Sequence, residues 1–359
     1  MKKYAVLIFL LTIVLSLIGL FVLYESSSYT ALLNLGDRFY FIKNQAIYLP
    51  IGIVLALIVS RVPEKKLYFL SLPLLLATFI LLIAVFLPGL GLELKGSHRW
   101  IDLGIIVFQP SELLKISLTI YLAAWLSSKE KGRLLAFLLL LAVFCGLVLL
   151  QPDLGTAFII TVTAISIYFL SGAKLVEMAI MGFILVVGAG FFITTASYRL
   201  ERFSSFREFS IENPTDSTYH LRQIILGIGS GGLLGVGPGN SIQKYAYLPE
   251  NTTDSIFAIY AEETGFIGSL FLISLFFVHA LLGFLIAASS KDMFGRLLAS
   301  GIVIFISIQA LINLSSQAII IPLTGVPLPF ISYGGSSMLI NFVAVGLLMN
   351  VAYNSKKTK

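Results

Sequence analysis

Ten runs of apolar residues, each near the length that carries a helix across a bilayer, follow one another along this chain. They lie near residues 4–24, 45–60, 67–87, 110–127, 133–150, 154–171, 175–196, 255–287, 296–321 and 332–353. The pattern predicts an all-α polytopic membrane protein of about ten transmembrane helices, one integral membrane domain over residues 1–359. The second run is short, and only Gln151-Pro152-Asp153 divides the fifth from the sixth, so the count spans nine to eleven. The first run follows Lys2 and Lys3, as a secretory signal would. It is too long for one and ends in Tyr24-Glu25-Ser26 without a small-x-small cleavage site, so it reads as an anchor.

Two polar interruptions are too long for turns, residues 88–109 and residues 197–254. The second is expected to be a large extracytoplasmic loop between helices 7 and 8. Its aromatics, its glycines, the apolar Ile224-Ile225-Leu226 and its balanced charges predict an ordered cap that partly dips into the membrane interface. Basic residues set the orientation. Lys2, Lys3, Arg61, Lys65, Lys66, Lys129, Lys131, Arg133, Lys174, Lys291, Arg296, Lys356, Lys357 and Lys359 fall on one side, against Arg38, Lys43, Lys95 and Arg99 in the short loops of the other. Both termini are therefore expected in the cytoplasm.

Composition supports the pattern: 12% of residues are charged and 58% apolar, too few charges to cover a water-soluble surface. The net charge of +6 comes from the cytoplasmic loops and gives no reason to expect a nucleic-acid partner. One cysteine, Cys145, excludes disulfides within the chain, and three scattered histidines make a poor zinc site.

Ionisable residues inside apolar runs are costly and tend to mark working cavities. Glu112 and Lys115 share a helix face at i, i+3, behind Pro110 at the first helical position. They read either as a structural ion pair or as part of a site. Glu262 and Glu263 sit two turns into the eighth helix, one expected to line a cavity and the other to be satisfied by a neighbouring helix. Asp254 stands at the mouth of that helix, either as a cap or as a reactive carboxylate stabilised by the helix dipole. Gly227-Ile228-Gly229-Ser230-Gly231-Gly232 matches a dinucleotide fingerprint in letters only, because no βαβ unit surrounds it. That run, continued through Gly235, Gly237 and Gly239, serves close backbone approach to a helix or ligand, phosphate binding by backbone N–H groups, or plain turning.

Four blocks in order resemble the SEDS proteins (shape, elongation, division and sporulation; FtsW, RodA and SpoVE). The first runs from His98-Arg99-Trp100-Ile101-Asp102 through Gln109-Pro110-Ser111-Glu112-Leu113-Leu114-Lys115. The second is Gln151-Pro152-Asp153-Leu154-Gly155-Thr156-Ala157. The third leads from Arg222-Gln223 through the glycines to Leu248-Pro249-Glu250, Thr253-Asp254 and Glu262-Glu263. The last is Pro327-Leu328-Pro329-Phe330-Ile331-Ser332-Tyr333-Gly334-Gly335-Ser336-Ser337. The Gly237-Pro238-Gly239-Asn240-Ser241 stretch leans toward the division-type, FtsW-like branch.

The resemblance implies a peptidoglycan glycosyltransferase of the bacterial plasma membrane that polymerises lipid II on its outer face and works beside a class B penicillin-binding protein. It implies Asp254 as catalytic base. Arg99, Lys115 and Arg222 are the favoured pyrophosphate-gripping cations, and Arg202, Arg207 and Lys244 are further candidates. Glu112 is then expected to orient Lys115, while Glu250 and Glu262 support the base or help hold a divalent cation such as Mg²⁺, with no cofactor otherwise required. The chain departs from the family pattern at Thr252, Ser255 and Thr264, and in the ninth helix at Asn313-Leu314-Ser315-Ser316-Gln317-Ala318-Ile319. Two other readings fit the composition: a transporter that flips lipid II, and a non-catalytic scaffold for a transpeptidase.

Overall fold

The computed structural model describes all residues except 95–96, 103, 105–106, 129–131, 195–199, 201–203, 208, 210–217 and 355–359. Helices α1 (Lys2–Leu35), α2 (Tyr40–Val59) and α3 (Glu64–Ala84) lead into a small sheet. Then come α4 (Pro110–Leu126), α5 (Leu134–Leu150), α6 (Leu154–Leu170) and α7 (Leu175–Thr194). A shorter helix, α8 (Tyr219–Ser230), precedes α9 (Ile256–Ala288), α10 (Met293–Gln317) and α11 (Gly335–Asn354). Each predicted apolar run thus overlaps one helix, and among the described residues six helices (α1–α3 and α9–α11) are long and apolar enough to cross a membrane.

Three boundaries moved for physical reasons. α1 runs on to Leu35, through the Glu25-Ser26 stretch at which the apolar run ends, and stops at Gly36, which takes the left-handed conformation (φ 72°) of a helix C-terminus. α10 ends at Gln317, not near 321, because Ile319 has φ 52° and Pro322 follows. The 88–109 segment is not wholly irregular. Strands β1 (Gly91–Leu94), β2 (Ser97–Asp102) and β3 (Val107–Phe108) form an antiparallel sheet, Leu92 opposite Trp100 and Ile101 opposite Phe108, which corrects the all-helical expectation.

Burial separates the helices. The most apolar windows of α10 and α11 are 72% and 78% buried, against 22% for α2 and 28% for α3. α10 and α11, with the largely buried α4, therefore form the centre, and α2 and α3 face outward. The centre is where the polar residues gather.

Between α8 and α9 the glycine run has a specific partner. α9 breaks at Gly265 (φ 67°, ψ −164°), a backbone state reserved for glycine. The break frees helical hydrogen-bonding groups, and the turn after α8 takes them up. Val236 and Gly237 N–H groups donate to the Glu262 and Glu263 carbonyls (3.0 and 3.1 Å), while Phe266 and Ile267 N–H groups donate to the Gly232 and Leu233 carbonyls (2.9 and 3.2 Å). A Cβ on Gly235 would lie 2.1 Å from the Glu263 carbonyl oxygen, so the approach needs glycine. Of the readings open to this run, close packing on a helix is the one the structure displays.

Candidate active site

The segment from Glu250 to Ser255 forms a tight turn that enters α9. Glu250 takes φ 52°, and its carbonyl accepts from the Thr253 and Ser255 N–H groups (both 3.1 Å). Ser255, not Asp254, occupies the N-cap position, and it makes no side-chain capping bond. Its hydroxyl instead meets His220 Nε2 of α8 at 2.7 Å. Asp254 is thus released from the capping role, one residue ahead of the N-cap.

Three bonds clamp this segment, one from α10 and two from the α10–α11 connection. Asn313 Nδ2 donates to the Asp254 carbonyl at 2.8 Å, Ser332 Oγ to the Thr253 carbonyl at 2.5 Å, and the Tyr333 N–H to the Thr252 carbonyl at 2.9 Å. The Asp254 carbonyl is therefore held by α10, and the two residues before it by the loop that carries the Pro327–Ser337 block. Its half-buried carboxylate accepts from Thr253 Oγ1 (3.0 Å), and the same hydroxyl lies 3.0 Å from Glu250 Oε2. One threonine hydrogen is shared between two carboxylates. A cavity of about 420 Å³ opens on the Glu250–Thr252 side of this turn, lined by Thr30 and Asn34 of α1, Phe41 of α2, and Leu248, Glu250 and Thr252, with Asp254 two residues beyond its lining.

Lys115 and Glu112 are buried together in α4, Lys115 Nζ lying 3.0 and 2.9 Å from the two carboxylate oxygens. The pair is not isolated. Lys115 also donates to Gln309 Oε1 (2.7 Å), Gln309 Nε2 donates to the Pro327 carbonyl (3.0 Å), and Asn313 Nδ2 reaches both the Val326 and Asp254 carbonyls. A polar chain thus runs from the buried ion pair to the Asp254 segment.

Arg99 projects from β2 onto the α5–α6 turn, donating to the Gln151 and Pro152 carbonyls (2.8 and 2.6 Å). Asp153 caps α6 through the Thr156 N–H (3.1 Å) and hydroxyl (2.9 Å), and it accepts from Gln109 (3.3 Å). The Gln109 N–H donates to Ser336 Oγ (3.1 Å), so three of the four sequence blocks meet here.

The remaining candidates fall elsewhere. Glu262 accepts from Ile242 N–H (3.0 Å), Gln243 N–H (3.3 Å), Ser230 Oγ (3.4 Å) and Ser241 Oγ. Glu263 accepts from Gly239 N–H (3.1 Å) and pairs with Lys244 (3.3 Å). Glu263 is satisfied by the glycine-rich hairpin after α8 (residues 231–244), and Glu262 by that hairpin together with Ser230, the last residue of α8; neither lines the cavity. Glu250 and Glu262 belong to separate networks, and among the described residues no three His, Cys, Asp or Glu side chains gather to hold a metal ion. Lys244 is buried between Glu25 (3.1 Å) and Glu263. Burial alone would lower its pKa, but the hydrogen bond to Glu25 and the charges of both glutamates outweigh that and hold it above the usual lysine value. Arg207 is exposed, and Arg202 lies outside the described residues. Arg222, half-buried on α8, keeps its buried Nε without a partner among the described residues.

Reading by sequence missed Glu25, His220 and the α10 stripe of Gln309, Asn313 and Gln317. The stripe was visible as polar residues at i, i+4, i+8 in an apolar helix, and all three are fully buried. Nothing local marks Glu25 or His220.

The family model described as "Cell cycle protein", covering FtsW, RodA and SpoVE, matches residues 5–357. Stage V sporulation protein E of Bacillus subtilis is 36% identical over 98% of this chain and 97% of its own length. The probable peptidoglycan glycosyltransferase FtsW of Coxiella burnetii is 38% identical over 99% of this chain and 97% of its own. A chain in a structure titled for the coordination of polymerization and crosslinking by a peptidoglycan synthase complex superimposes with a TM-score of 0.80, at 25% identity and 98% coverage of both chains. The rod shape determining protein RodA of Thermus thermophilus does so at 0.73, with 26% identity, 98% of this chain and 97% of its own. This integral membrane protein belongs to the FtsW, RodA and SpoVE family of cell cycle proteins.

Proposed function

We propose that this protein is a peptidoglycan glycosyltransferase of the bacterial plasma membrane, polymerising lipid II with Asp254 as general base. The observation that carries the reading is the clamped Asp254 segment beside a cavity of about 420 Å³, at the mouth of a membrane helix. In the reaction the 4-hydroxyl of one lipid-linked disaccharide attacks the anomeric carbon of another. Asp254 takes the hydroxyl proton, the new oxygen–carbon bond forms, and the bond from that carbon to the lipid diphosphate breaks. A backbone fixed at three points holds the base in one place while the substrates slide past it.

The departing diphosphate needs cationic donors. Arg222, with its unpartnered Nε, is the readiest of the described cations. Lys115 acts through the Gln309–Pro327 chain, Glu112 orienting it, and Arg99 fixes the α5–α6 turn with one terminal nitrogen left over. Glu250 tunes the base through the shared Thr253 hydroxyl, whereas Glu262 and Lys244 shape the wall behind it. On the orientation that the basic residues predict, ten crossings with both termini cytoplasmic, the Asp254 mouth faces outside, where the sugars of lipid II lie. A class B penicillin-binding transpeptidase is the expected partner, in keeping with the synthase complex that the fold resembles.

The test is polymerisation of labelled lipid II by purified protein, with and without its transpeptidase, comparing wild type with Asp254→Asn. Removal of a general base is expected to cut turnover by about 10²–10⁴-fold in a variant that still folds. Equal rates would move the base elsewhere; no strands from wild type with its partner would favour the transporter or scaffold readings.

A further inference from the structure

The glycine-rich hairpin is bonded part-way down α9 and not at its first turn. Its backbone is bonded to α9 at Glu262, Glu263, Phe266 and Ile267. Phe266 is ten positions beyond the first residue of α9, about 15 Å along the helix axis. The hairpin bottom is therefore about that far below the Asp254 mouth, on the membrane side of it. α9 has 33 residues, about 50 Å, and a hydrocarbon core takes only ~20 of them. Counted back from Ala288, those residues reach about Ser269, one turn short of the break at Gly265. The turn from Gly231 to Val236 lies at that boundary.

Its surface chemistry matches the depth. Leu233 and Leu234 are 70% and 78% exposed, and Phe266 and Ile267, bonded beside them, are 60% and 57% exposed. These four continue the outward apolar face of α9, including Leu270 and Phe271. Water would make two such leucines at the tip of a turn expensive, and acyl chains would not. Irregular backbone at this depth is tolerated only if its polar groups are satisfied by protein. Here the kink supplies the matching groups, and the Glu262 and Glu263 carboxylates take the N–H groups of Gly239, Ile242 and Gln243 on the returning limb.

We propose that α8 and the glycine-rich turn after it form a re-entrant element in the leaflet on the Asp254 side, with Leu233 and Leu234 in contact with its acyl chains. The Glu262-Glu263 pair and the break at Gly265 are then the means by which a non-helical segment enters lipid. This rests on the membrane orientation above but not on the reaction assigned to Asp254.

The test uses Leu234→Cys in a Cys145→Ala background, labelled with an environment-sensitive fluorophore and reconstituted into phosphatidylcholine vesicles. Asp37→Cys, in the exposed α1–α2 loop, is the aqueous reference. The label at Leu234 is expected to lose most of its emission when the acyl chains are brominated and little to aqueous iodide, with the reverse at Asp37. Quenching of the Leu234 label by iodide alone would place the turn in water. Quenching by neither would place it against protein, and either result overturns the proposal. Leu234 is largely exposed, so its replacement spares folding, and polymerisation activity of the labelled protein reports separately on the reaction.

Discussion

Asp254 and Glu262 stand eight residues apart where α9 meets the segment before it, and their surroundings are built in opposite ways. Both carboxylate oxygens of Glu262 accept from donors on the last residue of α8 and the hairpin after it, two of them backbone N–H groups, and beside it Gln243 Oε1 is buried without a partner among the described residues. Around Asp254 the backbone is held as firmly, yet side chains close by keep unused capacity. Among the described residues Asn313 Oδ1, the Thr324 hydroxyl and both polar atoms of the Gln317 carboxamide are buried without a partner. Gly325, next to Thr324, has its would-be Cβ 4.0 Å from Asp254 Oδ2. Buried polar groups are normally paired, so a closed network marks architecture and an open one marks room for water or ligand. Two acidic residues that look alike in sequence thus divide into a wall and a working surface.

The sharpest way to break that comparison is Lys115, where the polar chain toward Asp254 begins. Lys115→Met strands the buried Glu112 carboxylate and is expected to cost about 3–5 kcal/mol of stability, read from thermal unfolding in detergent. Adding Glu112→Leu removes the stranded charge and should restore much of that loss, while polymerisation stays low. Full recovery of activity in the double variant would reduce the pair to a structural one.

Glu262→Ala tests the other side. It leaves the N–H groups of Ile242 and Gln243 and the Ser241 hydroxyl without their acceptor, at about 1–3 kcal/mol for each donor that water cannot reach. Turnover per folded molecule is expected to hold near the wild-type value. A folded but inactive Glu262→Ala protein would move Glu262 into the reaction and dissolve the contrast.

What could be read from sequence follows the same divide. Helices were legible because lipid demands long apolar runs, and Asp254, Glu112 and Lys115 stood out as charges at their mouths or within them. The closing contacts were not, because they join residues far apart in the chain: Glu25 to Lys244, His220 to Ser255, and the glycine turn to a kink that only Gly265 hints at. The short strands escaped because β3 has two residues and its alternation is too brief to register. The departures in α10 prove compatible with the fold. Asn313 still holds Asp254, and the strained φ of Ile319 falls after the last helical residue.

Gln317 gives the smallest effect and the finest test. It lies one turn outward from Asn313 on nearly the same face, rotated by about 40°, and it is fully buried. A buried carboxamide with no partner costs stability, so replacing it by leucine, close in volume and free of polar atoms, is expected to raise stability by about 1–3 kcal/mol. If the carboxamide only fills space, stability rises and the KM for lipid II stays put. If the open network around Asp254 exists to meet a sugar, stability still rises but KM rises with it, while kcat changes less, because binding is lost and the base is not. The second outcome is expected, since an unsatisfied amide kept in the centre of the molecule has a stability cost that a bound water or a ligand offsets. A loss of stability in Gln317→Leu would mean that the carboxamide is paired after all, and that the network around Asp254 is as closed as that around Glu262.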